Sequence, residues 1–184
     1  MEKLDEAPLI VTLELAKPAQ DWAQQMRCQY FPPKRNRVPA HITLFHALPR
    51  ATHPLLKAAL SAPGVAPNVV IEAPYLLGRG VAYRIRSPEM AALRARLVEQ
   101  IGSEQLTRQD AAPWRPHLTI QNKVSSDEAH ALYATLKVSA RQGSTQGAAL
   151  RVWRYDNGPW TLLDRFAFQL SERRMEDGDW MLPT

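Results

Sequence analysis

The sequence predicts a mixed α+β (α/β) protein of two lobes, each a β-α-β-α-β unit, related by an approximate twofold, with two antiparallel-rich sheets lining a central cleft. Three observations carry this expectation. Apolar residues alternate with a period of two in some stretches and of about 3.6 in others, in an order that repeats. Landmarks recur at offsets of 72 (Leu9 and Val81), 70 (Pro18 and Pro88) and 76 (His41 and His117). The same tetrapeptide type, His-apolar-Thr-apolar, opens the corresponding strand of each half.

Element by element, Pro8 to Leu15 reads as a strand, with Val11, Leu13 and Leu15 alternating against Thr12 and Glu14. Pro18 opens a helix to about Tyr30. Phe31 to Pro39 holds three prolines in nine residues and must be a loop. His41 to Leu48 is β-branched and aromatic, hence a strand; Thr52 to Leu60 suits a short helix and Asn68 to Leu77 another strand. The second half replays the order. A strand covers Val81 to Arg86, Pro88 opens a helix to about Ile101, and a loop ends at Pro116. A strand follows over His117 to Val124, then a helix from about Asp127 to Lys137 capped by Ser125 or Ser126. Strands at Ala148 to Tyr155 and Trp160 to Leu170 flank the turn Asp156-Asn157-Gly158-Pro159. The expected organisation is one bilobal domain over 1–184, with repeats at about 8–78 and 80–170 and a solvated or loosely docked tail over 171–184.

The 184 residues carry 23 Lys plus Arg against 18 Asp plus Glu, a formal net charge of +5, with 45% apolar residues and one cysteine. Cys28 alone excludes a disulfide framework and a zinc site built from several thiolates, and points to a reducing compartment. No apolar run approaches the ~18 to 20 residues of a membrane span, and the start is acidic where a secretory signal is basic. A cytoplasmic protein with no membrane partner is expected. A cleft formed by two lobes of one chain needs no second copy, so a monomer is expected.

Charge is informative in its distribution. No Asp or Glu lies between Trp22 and Ile71, where Arg27, Lys34, Arg35, Arg37, Arg50 and Lys57 all fall. A second acid-free window, Ala111 to Ser126, holds Arg115 and Lys123. Such fields favour anionic ligands; a solvated basic face accounts for the same composition.

The two motifs are His41-Ile42-Thr43-Leu44 and His117-Leu118-Thr119-Ile120. Side chains two apart on a strand share a face, so each His projects beside its Thr, about 6 to 7 Å along the strand. The apolar partners face a core. Two imidazoles titrating near neutrality can split general base and general acid at a phosphodiester, each worth roughly 10² to 10⁴ in rate. Threonine hydroxyls can donate to non-bridging oxygens. The scheme demands no metal and no cofactor.

On these residues the sequence resembles the two-histidine phosphoesterases, the group that includes the 2′-5′ RNA ligases and RNA 2′,3′-cyclic phosphodiesterases, whose hallmark is two H-x-[S/T]-x motifs in a bilobal, pseudo-symmetric fold. HITL and HLTI match both, and the matching order of elements spans about Pro8 to Leu170. The resemblance implies that His41 and His117 are the catalytic pair and Thr43 and Thr119 the phosphate-binding hydroxyls. It also implies a metal-independent phosphodiesterase that opens 2′,3′-cyclic phosphates of RNA ends or small nucleotides to 2′-phosphates, with reversible 2′-5′ ligation as a possible reverse of the same chemistry. Where the RNA-ligase branch often carries an Arg shortly after the second motif, this chain has Gln121-Asn122-Lys123. The alternative is a non-catalytic RNA-binding module on the same fold; a metallohydrolase using the histidines as ligands is a further rival.

Candidate substrate contacts are Arg35 and Arg37 of the basic loop, Arg115, Lys123, and Tyr83, which with Trp114 is a candidate for stacking on a base. Arg84 and Arg86 share the strand face opposite Tyr83. His46 faces away from His41 and is expected in the core or supporting the site. His53, His130 and Cys28 have plain structural readings. Trp153, Tyr155, Trp160, Phe166 and Phe168 are expected to pack.

Overall fold

The computed structural model describes residues 7–62, 64–139 and 142–170. The tail over 171–184 lies outside the described residues. Strands β1 (Leu9–Leu15), β2 (Ile42–Leu48), β3 (Asn68–Leu76), β4 (Gly80–Arg86), β5 (His117–Asn122), β6 (Gly143–Tyr155) and β7 (Trp160–Ala167) alternate with helices α1 (Ala19–Tyr30), α2 (His53–Leu60), α3 (Pro88–Ile101), α4 (Arg108–Ala111) and α5 (Ser126–Ser139). Most limits agree with the sequence periodicity. Strand β6 starts earlier than expected, and the loop before Pro116 contains the short α4.

All strand pairings within the sheet are antiparallel, in the order β1-β2-β5-β4-β3-β6-β7, and β6 also pairs with β1. Where the duplicated pattern leads one to expect two sheets, the strands form one hydrogen-bonded network. Two places join it. Strand β6 runs against β3 over Gly143–Gln146 and then against β1 over Gly147–Arg154. Strands β2 and β5 meet at a single residue pair, Ile42 opposite Leu118.

The pairing also crosses the repeat boundary. The break that periodicity places between 78 and 80 falls in the tight turn of the β3–β4 hairpin, where Gly78 takes a left-handed φ of 55°. Strand β3, read with the first half, is thus the neighbour of β4, and β6, read with the second, is the neighbour of β1. A short turn forces its two flanking strands together whatever the repeat pattern of the chain.

The helices form for local reasons and cover the apolar faces. Ser87 accepts from the Met90 amide at the start of α3, followed by Pro88 at the first helical position. Ser125 and Glu128 make a reciprocal capping box on α5, with the Glu128 amide donating to Ser125 Oγ and the Ser125 amide donating to Glu128. The core they enclose includes Leu9, Val11, Leu13, Ile42, Leu44, Phe45, Ile71, Leu118 and Ile120, all at most 1% exposed. Ile42, Leu44, Leu118 and Ile120 are the apolar partners of the two motifs, so burial of these four turns His41, Thr43, His117 and Thr119 to the opposite face.

Gly80 matters for that placement. A Cβ there would lie 2.0 Å from the Gln121 carbonyl, so only glycine lets β4 close on β5 just beyond the second motif. Gly80→Ala is therefore expected to destabilise the chain by roughly 1 to 3 kcal/mol, read as a lower urea midpoint at unchanged m-value. An unchanged midpoint would show that β4 and β5 are not held this closely.

Candidate active site

Each histidine ring is held by the same device. Nδ1 of His41 bonds the Pro39 carbonyl at 2.6 Å, and Nδ1 of His117 bonds the Arg115 carbonyl at 2.9 Å, in each case two residues upstream. A carbonyl only accepts, so Nδ1 carries the proton and Nε2 is left to exchange protons with a ligand. The proline-bearing loops before the strands thus fix ring orientation and tautomer together.

The antiparallel pair Ile42–Leu118 sets the relation between the motifs. Extended by one step to either side, that register sets His41 against Thr119 and Thr43 against His117 along the strands, and His41 and Thr119 line one cavity. Backbone carbonyls on both strands accept from side chains. Trp114 Nε1–H donates to Thr43 (3.0 Å), Arg94 Nε–H to Leu44 (2.9 Å) and Arg27 Nη1–H to Thr119 (3.0 Å). On the other side of the seam, α1 grips the approach to the first motif. Gln24 accepts from the Ala40 amide, and Gln20 donates to the Ala40 carbonyl.

Burial pushes the His41 imidazolium down to about 4; the Pro39 carbonyl opposes this, while Arg27, His117 and His46 add to it. His41 is therefore neutral at pH 7. The unfolded chain takes up this proton near 6.5 and the folded one only near 4, so His41 makes the fold less stable as pH falls through that interval.

A cavity of about 510 Å³ opens beside His41 and Thr119. Its cations are Arg27, Lys34, Arg35, Arg37 and Lys123, its aromatic rings are Phe31, Tyr155 and Trp160, and among the described residues no Asp or Glu lines it. Such a wall favours an anion carrying a flat ring. The Trp160 ring lies 5.3 Å from that of His41. His117 has its own aromatic neighbour: Tyr75 meets it edge-on at 6.5 Å, with the Arg84 guanidinium 4.6 Å over the Tyr75 ring.

Of the residues singled out in the sequence, His41, Thr119, Arg35, Arg37 and Lys123 line this cavity. Lys123 does so from a left-handed turn (φ 61°) beyond the end of β5. Arg115 is exposed and acts through its carbonyl on His117. Tyr83 requires a correction. It is 1% exposed and packs edge-on against Trp22 at 5.2 Å, because alternation along β4 puts it on the core face while Arg84 pairs with His117. Trp114 is likewise half-buried against the core and spends its N–H on Thr43.

Tyr155 and Trp160 correct the opposite error. Alternation predicts that they pack, yet both line the cavity, paired across the β6–β7 turn. The sequence does hold a signal: Arg151, Trp153 and Tyr155 alternate a cation with aromatic residues along one strand face, the face of Thr12 and Thr43. Trp153 donates from its indole N–H to Thr12 at 2.9 Å. Glu14 accepts from Arg151 and Arg165; burial pushes its carboxyl up, but the two guanidinium groups outweigh this and hold it below the usual range.

His46 is not in the core: an irregularity between Thr43 and Phe45 in the β1–β2 register breaks the alternation that turned it away from His41, and its half-exposed ring binds Asp110. Its Nδ1 lies 2.9 Å from Asp110, whose carboxylate also accepts the amides of His46 and Ala47. Burial opposes the charge on Asp110, yet the His46 side chain and these amides win and lower its pKa. His53 pairs with Asp164 at 2.6 Å. Among the described residues, no group of three or more His, Cys, Asp or Glu side chains is placed to hold a metal ion, and no helix is long and apolar enough to cross a membrane.

A mixed helix and antiparallel-sheet fold with two strand-borne histidines, each beside a threonine, defines a class of phosphoesterase. The family model "2′-5′ RNA ligase superfamily" matches residues 15–159, and the chain belongs to that superfamily. Among solved structures, Escherichia coli LigT complexed with NADP+ is similar at a TM-score of 0.56 and 18% identity, over 89% of this chain and 98% of that one. LigT complexed with 3′-AMP gives the same values. TT0787 of Thermus thermophilus is similar at a TM-score of 0.57 and 16% identity, over 88% and 97% of the two chains. No curated protein sequence matches.

Asp110→Ala strips four donors of their acceptor, the His46 amide and ring, the Ala47 amide and the Thr107 hydroxyl, so it is expected to cost about 1 to 3 kcal/mol. The loss is present at neutral pH and shrinks as pH falls through the carboxylate range, where the wild type also loses the charge. Urea midpoints at pH 7 and at a series of pH values below the ordinary Asp range, where the lowered Asp110 carboxyl takes up its proton, check both statements.

Proposed function

We propose that this chain is a metal-independent phosphodiesterase that opens 2′,3′-cyclic phosphates, on RNA ends or small nucleotides, to 2′-phosphates. The observation that supports the reading is the pair of imidazoles, each with Nδ1 tied to the carbonyl two residues upstream, on two strands that meet at Ile42 and Leu118. His41, kept neutral by burial, takes the base role, which leaves His117 the acid.

Water attacks phosphorus while Nε2 of His41 removes its proton. The bond from phosphorus to the 3′ oxygen breaks, and Nε2–H of His117 protonates that oxygen. The product is a 2′-phosphate with a free 3′-hydroxyl, for a net uptake of one water. Thr43 and Thr119 donate to the non-bridging oxygens, whose negative charge grows as phosphorus becomes five-coordinate. Attack by a 5′-hydroxyl in place of water would give a 2′-5′ linkage by the same proton transfers. The cationic cavity beside His41 supports a nucleotide as the ligand, with Trp160 or Tyr155 stacking on the base. That solved LigT structures hold 3′-AMP and NADP+ agrees with this choice.

The test is the product formed in EDTA from a short RNA ending in a 2′,3′-cyclic phosphate. The wild type is expected to give a 2′-phosphate, and His41→Ala and His117→Ala are each expected to lose roughly 10² to 10⁴ in kcat. RNA affinity without turnover, unchanged in both variants, would favour the binding module instead. The kcat/KM profile is expected to be bell-shaped. Its acid limb, near pH 4, belongs to His41, which must be neutral to act. Trp160→Ala is expected to raise KM in line with the loss of about 1 to 3 kcal/mol of stacking, with kcat changed less.

A further inference from the structure

The face of α1 that packs on the sheet carries Ala19, Ala23 and Arg27, four residues apart. Two of these are small and one is charged. Arg27 is only 4% exposed, and charged residues are seldom buried this deeply without a partner of opposite sign. Among the described residues no carboxylate pairs with it, and its Nε has no hydrogen-bond partner. Its two terminal nitrogens are both used. Nη1–H donates to the Thr119 carbonyl at 3.0 Å and Nη2–H to the Val38 carbonyl at 3.3 Å, with the guanidinium 4.3 Å over the Phe31 ring.

Those two acceptors belong to different motifs. Val38 lies three residues before His41, on the loop that orients it, and Thr119 is the hydroxyl residue of the second motif. Between them the strands share one residue pair. The ladder is too short to fix the spacing of the histidines, whereas a planar guanidinium with two nitrogens on two carbonyls is a rigid spacer.

We propose that Arg27 is the positioning residue that sets the gap between the two histidine motifs, by holding the Val38 and Thr119 carbonyls with one guanidinium fork. The proposal rests on the reading of His41 and His117 as a proton-transfer pair. The fork also acts through its charge. Arg27 disfavours protonation of His41, as do His117 and His46. Lys34, Arg35, Arg37 and Lys123 around the cavity carry the same sign, and on the strands behind His41 the charge of Glu14 is already taken by Arg151 and Arg165.

Arg27→Lys and Arg27→Gln, made in the full chain, separate geometry from charge. With the cyclic-phosphate RNA as substrate, Arg27→Lys is expected to lower kcat about 100-fold, the cost of a misplacement near 1 Å, with KM changed only a few-fold. Its His41 titration, followed by the 13Cε1 shift without substrate, is expected to stay low. Arg27→Gln is expected to lose kcat similarly and to raise the His41 titration point. In the wild type, the Nη protons of Arg27 are expected to give separate, slowly exchanging NMR signals at neutral pH. A folded Arg27→Lys with kcat within twofold of wild type overturns the proposal, as do wild-type Nη protons that exchange like those of a surface arginine. An unmoved His41 titration in Arg27→Gln overturns its electrostatic part. The Nη measurement needs neither substrate nor a variant that folds. A wild type without turnover therefore defeats the phosphoesterase reading while the clamp is still decided.

Discussion

Strands β2 and β5 carry the two motifs yet touch at one residue pair, Ile42 opposite Leu118. A single pair is too little ladder to fix how the two strands sit beside each other. The chain resolves this with side chains that reach backbone carbonyls around the seam. Arg27 holds Thr119 and Val38, Trp114 holds Thr43, and Arg94 holds Leu44 while lying 4.7 Å over the Phe45 ring. Backbone polar groups near a parting of strands must find partners or incur a desolvation cost, and here the partners come from the flanking helices and loops.

The same economy governs the histidines. Each ring leans on the carbonyl of its own approach loop, which fixes Nδ1–H and aims Nε2 outward with no carboxylate to hold the proton. An adjacent carboxylate would raise the imidazole pKa; its absence from the described lining, together with burial and Arg27, keeps His41 neutral. The carboxylates near the site are already spoken for, Asp110 by His46 and two amides, Glu14 by two arginines. The cavity wall is thereby left positive.

Much of this is legible in the sequence, for stated reasons. The apolar-polar alternation of HITL and HLTI, each after a proline-bearing loop, is enough to place both histidines and both threonines on the polar face of their strands. Pro18, Pro88 and Ser125 mark helix starts. What the sequence does not reveal depends on contacts between distant segments. Tyr83 looks available until the register of β4 with β5 puts it against Trp22. Tyr155 and Trp160 look like core until the β6–β7 turn pairs them at the cavity wall. Arg27 sits on an ordinary amphipathic helix, and only its position opposite Thr119, 92 residues away, shows its use. The repeat suggests two sheets because periodicity reports where strands lie, not which strands they pair with; the hairpin at Gly78 and the long β6 decide that.

The central claim is that His41 and His117 flank one phosphorus atom. A crystal structure with orthovanadate, which adopts the five-coordinate geometry of phosphorus at the transition state, tests it most directly. The account predicts vanadate between the two Nε2 atoms, with the Thr43 and Thr119 hydroxyls on its equatorial oxygens and Arg27 still on both carbonyls. Vanadate bound by one histidine alone, or seated elsewhere with the two rings apart, would contradict it.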